Sequence, residues 1–213
     1  MKTDDLISML ATGAPRVDRH AATKRFAIAI AAGVAGAFVL MLAVLGLRHD
    51  LAEIVRTPLF WAKVALPLAL AAGALATVAK LARPGARAAR PGLLIAWPVL
   101  AVWLCAAVML AGTPSGERLA LVLGTTWRVC PFAIAMLSAP GFVAIMAALR
   151  GLAPTRLALT GAVGGLLAGA LATLVYCLHC PEMGVPFWGV WYLLGMLVPT
   201  LVGALLGPRV LRW

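Results

Sequence analysis

Four cysteines carry the most specific chemistry in this 213-residue chain. Cys130 follows Trp127-Arg128-Val129, and two more lie in Tyr176-Cys177-Leu178-His179-Cys180-Pro181-Glu182. Cys105 stands apart among Leu, Ala and Val, where a thiol acts as a small buried hydrophobe. Thiolates react with oxidants and with soft metal ions. Arg128 would favour the thiolate of Cys130, and His179 and Glu182 would add harder ligands beside Cys180. Cys177 and Cys180 form a C-x-x-C pair, a spacing used by thioredoxin-like redox sites and by zinc. A closed zinc site takes four ligands and no second pair lies nearby, so the spacing alone specifies neither. The plainer alternatives are a structural disulfide, inert thiols at helix ends, and a His179 that anchors a helix.

Whether Cys130 and Cys180 meet depends on the elements that carry them. Hydrophobic residues make up 63% of the chain and charged residues only 12%, a balance that points to lipid as the solvent. Six apolar runs approach the ~20 residues that a helix needs to cross a bilayer. They lie at Phe26–Leu47, Leu59–Ala79, Gly92–Ala111, Val129–Leu149, Leu157–Leu178 and Phe187–Leu206. None alternates as a barrel strand would, and helices satisfy their own backbone in lipid. The expected fold is an all-α polytopic membrane protein with six transmembrane helices. Residues 1–25 form a separate N-terminal segment, and 26–213 the transmembrane domain. The first run is too long, and starts too late, for a cleaved signal peptide.

Charge sets the orientation. The N-terminal segment, the second and fourth connections and the C-terminal tail hold 13 of the 18 Lys and Arg residues. The opposite side holds Arg48, Arg56, Arg118 and Arg128, with Lys63 one turn inside the second span and expected to snorkel outward. The positive-inside rule places both termini in the cytoplasm. The net charge of +11 is therefore read as a topology signal, with no direct nucleic-acid partner. Cys130 and Cys180 then share the outer face, at the ends of antiparallel neighbouring spans. Trp61, Trp127, Trp188 and Trp191 lie near span ends on that face, as indoles do at headgroups. Gly161, Gly165 and Gly169, with Gly203 and Gly207, recur every four residues and predict close helix packing inside one bundle.

The N-terminal segment supplies a second feature. Thr3 caps a short predicted helix with Asp4 and Asp5 in its first turn, favourable at the positive end of the helix dipole. Leu6, Ile7, Met9 and Leu10 give it an apolar stripe, and Gly13 with Pro15 ends it. Such a helix suits docking into a partner's groove; the alternatives are a solvated tail or a segment lying on the membrane.

The opening Met1-Lys2-Thr3-Asp4-Asp5-Leu6-Ile7, the six spans, Trp127-Arg128-Val129-Cys130 and His179-Cys180-Pro181-Glu182 together resemble the NrsF-type family. Its members are six-helix anti-sigma factors of the proteobacterial inner membrane that negatively regulate extracytoplasmic-function (ECF) sigma factors. The resemblance spans essentially the whole chain. It implies a cytoplasmic N-terminal segment that holds the sigma factor through Asp4, Asp5 and Leu6, to which the apolar stripe adds Ile7, Met9 and Leu10. It also implies that Cys130 and Cys180 on the outer face register heavy metals or oxidants. No resident cofactor is implied beyond a soft metal ion held transiently by those thiols. Cys177 is an extra cysteine that could compete for a disulfide or complete a three-sulfur site. Joining Cys130 to Cys180 would draw two helix ends together, with Pro140-Gly141 as a hinge in the fourth span, although Pro67, Pro98 and Pro199 interrupt other spans too.

Two other classes use the same residues. A thiol oxidoreductase would pass electrons from Cys177 and Cys180 to quinone, and would show thiol-coupled quinone reduction. A soft-metal transporter would use thiols at several depths and would load vesicles with metal. The spans contain no acidic residue, which tells against a proton-coupled carrier.

Overall fold

The computed structural model describes residues 3–12, 20–82, 91–152 and 154–212. Among these every regular element is an α-helix: α1 (Thr3–Thr12), α2 (Ala21–Val44), α3 (Leu51–Ile54), α4 (Pro58–Leu81), α5 (Pro91–Ala111), α6 (Ser115–Leu123), α7 (Cys130–Arg150), α8 (Leu157–Tyr176) and α9 (Val185–Val210). Six of them, α2, α4, α5, α7, α8 and α9, are long and apolar enough to cross a membrane. Local chemistry explains several boundaries. Gly46 adopts a left-handed φ of 76° and donates to the Met41 carbonyl, which ends α2 short of Leu47. Thr57 caps α4 by accepting from the Phe60 amide at 3.4 Å, with Pro58 behind it. Proline also stands in the first turn of α7 and of α9, where a missing N–H costs nothing. Because α2 starts at Ala21, Lys24 and Arg25 belong to its first turns rather than to a separate segment.

Helix α8 is the centre of the bundle, packed against α2, α4, α7 and α9. Its small residues allow this. A methyl at Gly161 would overlap the Gly203 carbonyl, and one at Gly165 would overlap the Pro199 carbonyl, so α8 and α9 touch backbone to backbone. The expected glycine spacing thus serves packing within the chain. Pro140-Gly141 lies where α2 crosses α7: a Cβ on Gly33 would stand 2.7 Å from the Gly141 Cα. Helix α5 sits at the edge, against α4 and α9.

The outer surface of the bundle is apolar. Trp97, Phe132, Leu104 and Leu205 are each more than two-thirds exposed, a surface suited to lipid and prone to association in water. Cys105 belongs to this surface. It is exposed, not buried in protein, because α5 has neighbours on one side only. Trp188 also departs from expectation: it is packed inside the bundle, whereas Trp61 is exposed and donates to the Val55 carbonyl at 2.9 Å. The α1 helix forms where predicted, with Asp4, Asp5 and Ile7 exposed. The side chains of Leu6, Met9 and Leu10, and all of Gly13, Pro15, Arg83, Arg87 and Arg90, lie outside the described residues.

Candidate functional site: a buried thiol cluster

Antiparallel spans bring one set of helix ends together, opposite the end where α2 begins. Arg25 in the first turns of α2 donates to the Gly151 carbonyl after α7, at 2.7 Å. At the far end, Arg48 beyond α2 donates to the Cys180 carbonyl beyond α8, at 2.9 Å. Cys130 opens α7 there, Cys177 caps α8, and the Cys180 amide donates to the Tyr176 carbonyl one turn on. All three are free thiols with no exposed surface.

Two buried tyrosines complete the enclosure. The Tyr176 hydroxyl stands beside the sulfurs of Cys130 and Cys180, and that of Tyr192 beside Cys177 and Cys180. The two rings meet edge on, 5.9 Å between centroids. Sulfur is a weak acceptor, and the Tyr192 hydroxyl makes no geometrically sound hydrogen bond.

Lys63 is the charged member of the cluster, and here the structure overturns the sequence reading. The side chain does not snorkel to headgroups. It is fully buried, and its ammonium donates to the Cys180 carbonyl at 2.8 Å and to the Glu182 carbonyl at 2.9 Å. It lies 5.7 Å from the Tyr192 ring and is a buried cation at the thiol end of the bundle. Arg128, expected to play that part, is stacked on Trp127 at 5.0 Å and is exposed. Peptide carbonyls left in an irregular segment need donors, and a lysine deep enough to reach them satisfies two at once.

His179 and Glu182 are engaged elsewhere. The His179 ring nitrogen Nδ1 is 2.9 Å from the Gly46 carbonyl, tying the end of α8 to the end of α2. Glu182 accepts at Oε1 from the Thr125 amide and hydroxyl, both at 2.6 Å, and from the Thr126 amide at 3.3 Å. Its carboxylate therefore braces the strand of chain that enters α7 at Cys130. Arg48 closes the surface by pairing with Asp50 at 2.6 Å, and this hydrogen bond holds the Asp50 carboxyl below its usual range. Among the described residues no group of three or more His, Cys, Asp or Glu side chains is arranged to hold a metal ion.

Sequence reasoning thus found the cysteines but missed Lys63, Tyr176 and Tyr192. For Lys63 the signal was present, since an ionisable residue inside a span reads by default as functional. The tyrosines gave none, each being one more ring in an apolar run. Chemically, thiols gathered in one buried cluster are groups that can be joined in pairs or bridged by a thiophile.

The arrangement is an enclosed cluster of three thiols, two tyrosine hydroxyls and one lysine at one end of the helix bundle. Comparison with known proteins gives the class. Residues 10–213 match the family model described as negative regulator of sigma F, NrsF. The chain is 52% identical over 213 residues to a probable anti-sigma-F factor of Azospira oryzae, and 37% identical over 215 positions to the anti-sigma-F factor of Caulobacter vibrioides. Each alignment covers 100% of both chains. No solved structure matches. The protein belongs to a class of regulators, the anti-sigma factors, and is not an enzyme, which sets aside the thiol oxidoreductase. Within that class the chain is a member of the NrsF family of negative regulators of sigma F.

Proposed function

We propose that this protein sits in the bacterial inner membrane with both termini in the cytoplasm, and holds an ECF sigma factor there until the buried thiols at the periplasmic end of its bundle react. One observation carries the reading. Cys130 and Cys180, 50 residues apart in sequence, join one buried cluster at the end of the bundle opposite the start of α2. The positive-inside rule assigns that end to the periplasm, an oxidising compartment where thiols meet stress first. Relatives named as anti-sigma-F factors support the partner class. Helix α1 is the grip: it presents Asp4, Asp5 and Ile7 to solvent and continues with Leu6, Met9 and Leu10 in the sequence of its apolar stripe.

Heavy metal or oxidant joins or bridges Cys130 and Cys180, with Cys177 as a third thiol within reach. Moving a partner from 99% bound to 99% free takes about 5.5 kcal/mol of differential stabilisation. Covalent or metal–thiolate bonding is strong enough to supply it. The burial of the thiols fits a sensor that stays silent until a small, neutral or strongly thiophilic reagent enters.

The test is a reporter for the released sigma factor in cells. Cys130→Ser with Cys180→Ser is expected to remove induction by metal and by oxidant while leaving repression in place. A double variant that still responds as the native protein does would end the thiol reading. Deleting residues 3–12 is expected to leave the reporter fully on; retained repression would move the grip to the connections, with Arg83, Arg87 and Arg90 next in line.

A further inference from the structure

Lys63 is a fully buried cation with no carboxylate against it. Glu182, close in sequence to the carbonyls it binds, turns its own carboxylate to Thr125 and Thr126. Among the described residues the ion pair found is Arg48 with Asp50, not one with Lys63. What Lys63 holds is the peptide of Cys180. Residues 180–184 form neither helix nor strand, and Pro181 lacks an N–H to anchor the segment. The Cys180 carbonyl takes two cationic donors, Lys63 Nζ from α4 and Arg48 Nη1 from the link between α2 and α3. One peptide oxygen beside a thiol is thus gripped from two other elements.

We infer that Lys63 is the positioning residue through which a change at the thiols is passed to α4. The inference rests on the sensing reading above and adds to it the route from sulfur to helix. When Cys180 is joined to Cys130, two S–H bonds break and an S–S bond forms. A diazene oxidant such as diamide takes both hydrogens and both electrons and leaves as the hydrazine. In this inference, drawing the two sulfurs into a bond moves the Cys180 peptide. An ammonium sealed from water cannot give up both carbonyls without leaving an uncompensated buried charge. It therefore follows them, and α4 moves with it. Helix α4 ends at Leu81, directly before the basic segment of Arg83, Arg87 and Arg90. A methyl-ended side chain at 63 would let the peptide move without pulling α4.

The experiment uses the full chain in cells that carry the sigma reporter, treated with diamide, with the Cys130–Cys180 linkage counted by mass spectrometry. Lys63→Met is expected to form the linkage as the native protein does, yet to lose about tenfold or more of its induction, within the usual range of coupling between sites. Lys63→Arg, which keeps a buried donor cation, is expected to recover most of the response. A Lys63→Met protein that is linked and fully induced overturns the inference, as does Lys63→Arg failing as completely as Lys63→Met. Should Lys63→Met not accumulate, hydrogen exchange on the native protein decides. Linkage is expected to change exchange in the first turns of α4, and unchanged exchange there overturns the inference. If linkage forms in the native protein without any induction, it is the sensing reading that falls, and the exchange result alone judges Lys63.

Discussion

Tyr192 keeps its hydroxyl against the sulfurs of Cys177 and Cys180 with no hydrogen-bond partner, at a position with no exposed surface. An unsatisfied buried hydroxyl costs roughly 1–3 kcal/mol, so its loss is not expected to hurt. Tyr192→Phe is expected to leave thermal stability in detergent unchanged or to raise it by up to about 1 kcal/mol. A clear loss of stability would mean that the hydroxyl is held by the thiols after all. Its polar neighbours differ, because each of them makes hydrogen bonds. Lys63, Arg48, His179 and Glu182 all end on backbone groups of segments that converge near Cys180 or Cys130. Residue types at their spacing pointed to the thiols and to Glu182, but not to this use of Glu182. A carboxylate two residues from a cysteine reads as a ligand, and only the fold shows that Thr125 and Thr126 lie closer to it than sulfur does.

Helices α8 and α9 illustrate how the bundle is built. Their glycines let carbonyls of one helix face Cα atoms of the other, the approach that small residues every fourth position permit. Adding bulk in such a contact forces the helices apart. Gly161→Val is expected to destabilise the protein by about 1–3 kcal/mol in detergent unfolding, as overpacked cores do. Gly116 in α6, where a Cβ would meet nothing within 4 Å, provides the comparison; valine there is expected to be nearly neutral. Equal effects at the two sites would show that the α8–α9 contact does not limit stability. The periodicity was legible because four-residue spacing on an apolar helix has few other uses. The spacing pointed to packing inside one bundle, and the fold adds which helices meet: the stripe of α8 faces that of α9.

At the scale of the molecule, six helices long and apolar enough to cross a membrane form a bundle with many exposed apolar side chains among the described residues. Orientation then decides which chemistry the thiol end meets. Alkaline phosphatase fused within residues 112–129 is expected to be active, and fused after 213 inactive, because the enzyme needs an oxidising compartment. The reverse pattern would put the thiols on the same side as transcription and leave a transmembrane signal without purpose. Each of the six long helices has 20 residues or more, enough to run from one end of the bundle to the other.

The number of long apolar helices, their approximate limits and the presence of a short N-terminal helix followed from composition, periodicity and capping residues, since those signals lie along the chain itself. Those signals are local, and so were readable. The meeting of Cys130, Cys177 and Cys180, the inward turn of Lys63 and the exposure of Cys105 depend on which helix lies beside which, a matter settled by small-residue contacts between distant parts of the chain. No local pattern in the sequence encodes those neighbours, and only the packed bundle decides them.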